Sequence, residues 1–187
     1  MLPQLKKFLT HFVEFTNDDL DAVRDLFVSK KIRKGEYLYA PGEIATEIGF
    51  LVKGAFRIYY LIGEKESTRL IGSEGVFVTS VPSFTTQKPC IEYVEAMENM
   101  DLLMLSYDNL QKMYEISPKW ERFVRILAEY AYNEQQKRVY SLIALTAQQR
   151  YEQFIKERPD LVQRVPQYII ANYLGISPET LSRIRRN

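Results

Sequence analysis

The chain has 187 residues, 46% hydrophobic and 13% aromatic, which suits one or two domains around a packed core and excludes a disordered tail. It contains no apolar run of about 18 residues and no basic segment leading into an apolar one at its N-terminus, so a membrane span and a signal peptide are not expected and a cytoplasmic site is. A single cysteine, Cys90, and a single histidine, His11, exclude an internal disulfide and argue against a chain-held iron–sulfur cluster, a zinc site or a His-based triad.

The net charge of +1 conceals an asymmetry. From Lys137 onward there are nine Lys and Arg against four Asp and Glu, whereas residues 1–136 hold sixteen against twenty. That distribution fits a C-terminal portion that meets phosphates and an N-terminal portion that does not.

In chain order, Leu5, Phe8, Leu9 and Phe12 recur at helical spacing, and Thr16 can cap a second helical segment carrying Leu20, Val23, Leu26 and Phe27. From Ile32 short β-rich runs follow: Glu36–Ala40, Ile48–Val52, Phe56–Ile62, Ser67–Ile71, Val76–Thr79, Ile91–Met97 and Leu102–Ser106. Turns are expected at Pro41-Gly42, Lys53-Gly54 and Gly72–Gly75, and the whole suggests a small barrel or roll. After Tyr107 the pattern is helical. Trp120, Phe123, Val124, Leu127, Tyr130 and Ala131 form an apolar stripe that resumes at Val139, Leu142 and Ile143, so one long helix is expected, its stripe serving as core, dimer seam or both. Thr146-Ala147-Gln148-Gln149 resembles a capping box that opens another helix, ending before Pro159.

The stretch from Pro166 to Asn187 reads as a helix-turn-helix. Pro166 suits a helix start, Ala171 permits close helix crossing, and Gly175 supplies the positive φ of the turn. Ser177 is a good N-cap and Pro178 a good first residue, with Leu181 and Ile184 facing inward. At 100° per residue, Glu179, Ser182, Arg183 and Arg186 share the opposite side, a polar and mostly cationic face suited to a major groove.

This order of elements resembles the Crp/Fnr family of bacterial transcription regulators. The resemblance rests on Lys34–Glu43 with Phe50–Arg57, similar to the opening of the family's cyclic-nucleotide-binding roll, and on the helix-turn-helix stretch. It implies an α+β protein: an N-terminal β-roll effector domain over residues 1–117, a long dimerisation helix over 118–145, and a helix-turn-helix domain over 146–187 lacking a full wing. No sequence follows Asn187 to build the family's wing, which leaves a wingless variant or a trimmed chain open.

In the family, a Gly-Glu pair holds the ribose and an Arg-Ser or Arg-Thr pair the cyclic phosphate. Here Cys90 and Ile91 stand where that second pair would be, and no arginine lies between Arg69 and Arg122. A phosphate drawn into a partly buried pocket needs a paired cation, so binding of cyclic AMP in the usual manner is not expected. Glu74, Val76, Phe77, Lys88, Cys90 and Ile91 outline the corresponding effector pocket, which is either unused or adapted to a more apolar ligand, with Lys88 the one candidate substitute for the phosphate ligand. No cofactor is expected.

At the reading helix, Glu179, Ser182 and Arg183 resemble the base-reading Glu-x-x-Ser-Arg arrangement of the Fnr branch, which implies half-sites similar to TTGAT. Gln167, Ser177, Thr180, Arg185 and Arg186 are the candidate phosphate contacts. The expected partners are double-stranded DNA, a second copy of the chain and an unidentified small-molecule effector, with no membrane and no enzymatic activity. Two rivals remain: a ligand sensor whose helix-turn-helix no longer binds DNA, and an interaction module that docks a partner on the Trp120–Ala131 stripe.

Overall fold

The computed structural model describes residues 2–186; Met1 and Asn187, the outer limits of the expected first and last domains, lie outside the described residues. Helix α1 (Pro3–Phe12) opens on Pro3 and buries Leu5 and Leu9. Helix α2 (Asn17–Asp21) carries the expected Thr16 cap as a full capping box, the Thr16 hydroxyl accepting from the Asp19 amide and the Asp19 carboxylate from the Thr16 amide.

The strands are β1 (Phe27–Ile32), β2 (Tyr37–Tyr39), β3 (Glu47–Lys53), β4 (Phe56–Ile62), β5 (Lys65–Gly72), β6 (Phe77–Val78), β7 (Tyr93–Ala96) and β8 (Met100–Ser106). They form two four-stranded antiparallel sheets, ordered β1-β8-β3-β6 and β2-β7-β4-β5, the latter leaving β5 at an edge. Phe50, Leu51, Phe56, Ile58, Met100, Leu102 and Met104 form the core between the sheets.

Leu26 closes a 3-10 turn over Arg24–Leu26, but strand β1 corrects the expectation that Phe27 continues a helix. Phe27 pairs with Leu105 and Ile32 with Met100, although only Ile32 of the strand is fully buried. An edge strand held by its partner's main chain need not show alternating hydrophobicity, so local pattern gave way to a pairing about seventy residues distant.

Helix α3 (Val81–Thr86) interrupts the strands, and α4 (Tyr107–Ile116) and α5 (Pro118–Ala144) follow them. Ser117 ends α4 and caps α5. The apolar stripe of α5 divides into two parts. Trp120 and Phe123 are buried in the chain's own core, Trp120 stacking on Phe15 at 4.2 Å and Phe123 packing near Phe8, Phe12 and Phe77. Farther on, Tyr132, Val139, Tyr140 and Ile143 are exposed, Ile143 at 81%. The rival that docks a partner on Trp120–Ala131 thereby loses its two largest inward anchors.

Helices α6 (Ala147–Glu157), α7 (Pro159–Arg164), α8 (Gln167–Leu174) and α9 (Pro178–Arg186) complete the fold. The Thr146–Gln149 capping box is present, with both reciprocal bonds formed. Pro166 stands one position outside α8, as its N-cap residue, rather than in its first turn.

Gly54 joins β3 to β4 at φ 108°, and a Cβ there would lie 2.6 Å from the main-chain oxygen of Asn99. Gly54→Ala is therefore expected to cost about 1–3 kcal/mol. Urea unfolding checks this; an unchanged midpoint would refute the close approach.

Candidate DNA-reading helix and effector cavity

Helices α6 to α9 share a core of Phe154, Leu161, Val165, Ile169, Ile170, Ala171, Leu174 and Leu181. Gly175 terminates α8 at φ 66°, where its amide returns to the carbonyls of Ala171 and Asn172, and the chain turns into α9. The Ser177 hydroxyl accepts from the Thr180 amide at 3.2 Å, so the expected cap is formed.

Leu181 is 1% exposed and anchors α9, while Glu179, Ser182, Arg183, Arg185 and Arg186 are all exposed. The Ser177 side chain, then the residue's own main-chain amide, and least Arg183 hold the Glu179 carboxyl below its ordinary range, so it is ionised and an acceptor at neutral pH. Arg183 donates to the Thr180 hydroxyl at 3.3 Å, leaving most of its guanidinium donors free. Gln167 differs from the other candidate phosphate contacts. It is half-buried, and its Oε1 is buried without a partner among the described residues.

The helix-turn-helix is not a free appendage. Its core is continuous with Ala55, Ile71 and Met97 of the roll. At the open edge of β5, the Asn172 side chain accepts from the Thr68 amide at 2.6 Å and donates to the Glu66 carbonyl at 2.8 Å. Arg158 donates to the Ile71 carbonyl, and the Ser73 hydroxyl to Asp160. Arg164 on α7 reaches two carboxylates of the roll, Glu74 at 2.8 Å and Glu98 at 2.7 Å.

A cavity of about 600 Å³ runs from the interior of the roll to the junction of α5, α6 and α8. Phe56, Ile58, Leu70, Phe77, Val78 and Phe84 line its inner end. Of the residues expected around the effector pocket, the structure brings Val76 and Phe77 to this cavity and leaves Glu74, Lys88, Cys90 and Ile91 off its lining. Glu74 is engaged by Arg164 and by the Gly54 amide. Cys90 is buried, its Sγ donating to the carbonyls of Ala40 and Glu43, and burial raises its thiol pKa. Lys88 is exposed, as is Ile91 at 74%. These side chains therefore do not converge on one ligand, and the substitution of Lys88 for a phosphate ligand has no geometric support.

Sequence reasoning missed Arg69 and Glu92. Glu92 is 1% exposed and takes two bonds from Arg69, which lines the cavity. It also missed Arg138 on α5, Arg150 near the start of α6 and Arg158 at the C-cap of α6. The uncompensated positive charge after Lys137 was the available signal, but nothing local distinguishes a cavity arginine from a DNA-facing one.

Residues 29–117 match the family model of the cyclic nucleotide-binding domain. Three solved structures extend the likeness to the helical part. FixK2 from Bradyrhizobium japonicum is 20% identical, with 86% of this chain and 83% of that one covered at a TM-score of 0.76. A Crp/Fnr-family transcriptional regulator from Eubacterium rectale is 16% identical over 99% and 85% of the two chains, at 0.70. The chain has the Crp/Fnr fold. CLP from Xanthomonas campestris, described as a c-di-GMP-responsive global regulator, matches the same fold at 15% identity, 91% and 90% coverage and a TM-score of 0.70. No curated protein matches the chain in sequence. Among the described residues, no helix of this Crp/Fnr-fold chain is long and apolar enough to cross a membrane.

Arg164 holds the Glu74 carboxyl at about 2, below its ordinary 4.5. A depressed carboxylate pKa contributes stability that is complete above the unfolded value and is lost as pH falls through the folded one. Glu74→Gln should accordingly be less stable than the parent at pH 6, with the difference shrinking towards pH 3. Urea unfolding of both proteins at several pH values checks this; a constant difference would show that the ion pair contributes nothing.

Proposed function

We propose that this chain is a sequence-specific DNA-binding transcription regulator that works as a homodimer and is not controlled by cyclic AMP. The observation that carries the reading is α9: a capped helix anchored by Leu181 that turns Glu179, Ser182 and Arg183 outward together, with Arg185 and Arg186 beside them. Glu179 can accept from cytosine N4 and Arg183 can donate to guanine O6 and N7, while Ser177, Thr180, Arg185 and Arg186 supply phosphate contacts. Gln167 could join them only by turning its amide outward.

Tyr132, Val139 and Ile143, spaced seven and four residues apart, form an exposed apolar line along α5 that suits a two-fold helix seam. A symmetric pair would present two reading helices about 34 Å apart, one DNA turn. The cavity serves as an effector site, but not through the family's phosphate cassette, since Glu74, Lys88, Cys90 and Ile91 stand off its lining. A cytoplasmic location and the absence of an enzymatic role follow from this function.

Selection from random duplexes at moderate salt should recover an inverted repeat. Arg183→Ala should weaken binding to that repeat by about 1–3 kcal/mol and relax one base position. Salt-dependent binding with no enriched sequence would refute the proposal and favour a sensor whose helix-turn-helix does not read DNA. In sedimentation, the parent should be a dimer and Ile143→Asp largely monomeric; equal association of the two would remove α5 as the seam.

A further inference from the structure

The far end of the cavity holds three arginines with no carboxylate among their partners. Arg138 donates to the Tyr173 carbonyl and lies over the Tyr173 ring at 3.9 Å. Arg150 donates to the carbonyls of Leu174 and Leu145, and Arg158 to that of Ile71. All three line the cavity and are half-buried. Capping the C-terminal carbonyls of α8 accounts for one bond from Arg138 and one from Arg150, but each guanidinium has five N–H donors, and Arg158 lies away from that helix end.

The acidic groups nearby are engaged elsewhere. Glu134 takes the Lys137 ammonium at 2.6 Å, Glu157 accepts from Gln153, and Glu92 is held by Arg69. Burial and the proximity of Arg150 push the Arg138 pKa down, as expected for cations gathered without a counter-anion. The same cavity is lined by Leu127 on α5 and by Phe56, Ile58, Leu70 and Phe77 of the roll. A volume of about 600 Å³ falls inside the range of about 300–1,000 Å³ common to small-molecule sites.

We propose that the cavity binds an amphipathic anion, with its carboxylate or phosphate head among Arg138, Arg150 and Arg158 and its apolar body in the roll. This deepens the reading of the cavity as an effector site and rests on it, but does not depend on DNA recognition. The head would sit between elements of both parts of the chain, since Arg138 and Arg150 grip the end of α8 and Arg158 grips β5. Such a ligand reaches the helix-turn-helix directly rather than through the phosphate cassette.

The test is calorimetric titration of the full chain, without DNA, using dodecanoate, dodecyl phosphate, dodecanol and inorganic phosphate, each below its micellar range. At least one of the two anionic chains should bind about tenfold or more tighter than dodecanol, and inorganic phosphate should not compete measurably. Arg138→Gln should remove that preference while leaving dodecanol affinity unchanged; Arg150→Gln is the second variant should the first not fold. Leu127→Trp, which fills the apolar passage, should weaken all three chains. Equal binding of anionic and neutral chains, or no binding of any chain, would overturn the proposal. Selection of a DNA site by the same preparation would still stand in either case, so the two readings fail separately.

Discussion

The open edge of β5 is the constraint on which the rest of the arrangement depends. A strand at the margin of a sheet presents unpaired amides and carbonyls, and covering them with apolar protein is costly unless each finds a partner. Here α8 covers the edge, and one side chain, Asn172, meets the requirement: its amide oxygen takes the Thr68 N–H and its amide nitrogen serves the Glu66 carbonyl. An amide carries an acceptor and donors side by side, so it can imitate the edge of a neighbouring strand. The Glu66 side chain in turn takes Arg57 at 2.5 Å, and Arg57 reaches Glu95 on β7. The clasp is therefore tied to the middle of the sheet.

Strand β5 touches both the cavity and the helix-turn-helix. Leu70, Ile71 and Gly72 line the cavity, while the main chain of the same strand holds α8 and Arg158. Arg164 adds a second attachment at Glu74 and Glu98, beyond the end of the strand. A change of side-chain packing inside the roll thus has a short mechanical route to the proposed reading helix, through α8 and its contact with α9.

The residues legible in the sequence were those whose work is local. Thr16, Thr146, Ser177, Gly175 and Pro178 act on atoms within four positions of themselves, and each stands in the structure in its expected local role. Most strands also announced themselves, because Phe56–Ile62 and Leu102–Ser106 carry their own burial pattern. Strand β1 did not, since four of its six residues are exposed and only β8 defines it. The cavity was the least legible. Family likeness placed Cys90 and Ile91 on it, whereas the turn around Ala40–Glu43 draws the Cys90 thiol to main-chain oxygens and sends Ile91 outward. Arg138, Arg150 and Arg158 come from α5, α6 and the C-cap of α6, and no local pattern links them to strand β5, about seventy to ninety residues earlier.

The roll and the helix-turn-helix are joined at β5. Native-state amide hydrogen exchange at Thr68, followed residue by residue, tests it most directly. The account predicts that the Thr68 amide exchanges as slowly as the core amides of α8, and that Asn172→Ala accelerates it without accelerating the central strands β4 and β7. Rapid exchange at Thr68 in the parent, with α8 still protected, would mean that the edge is open in solution and that the two parts of the chain are not coupled there.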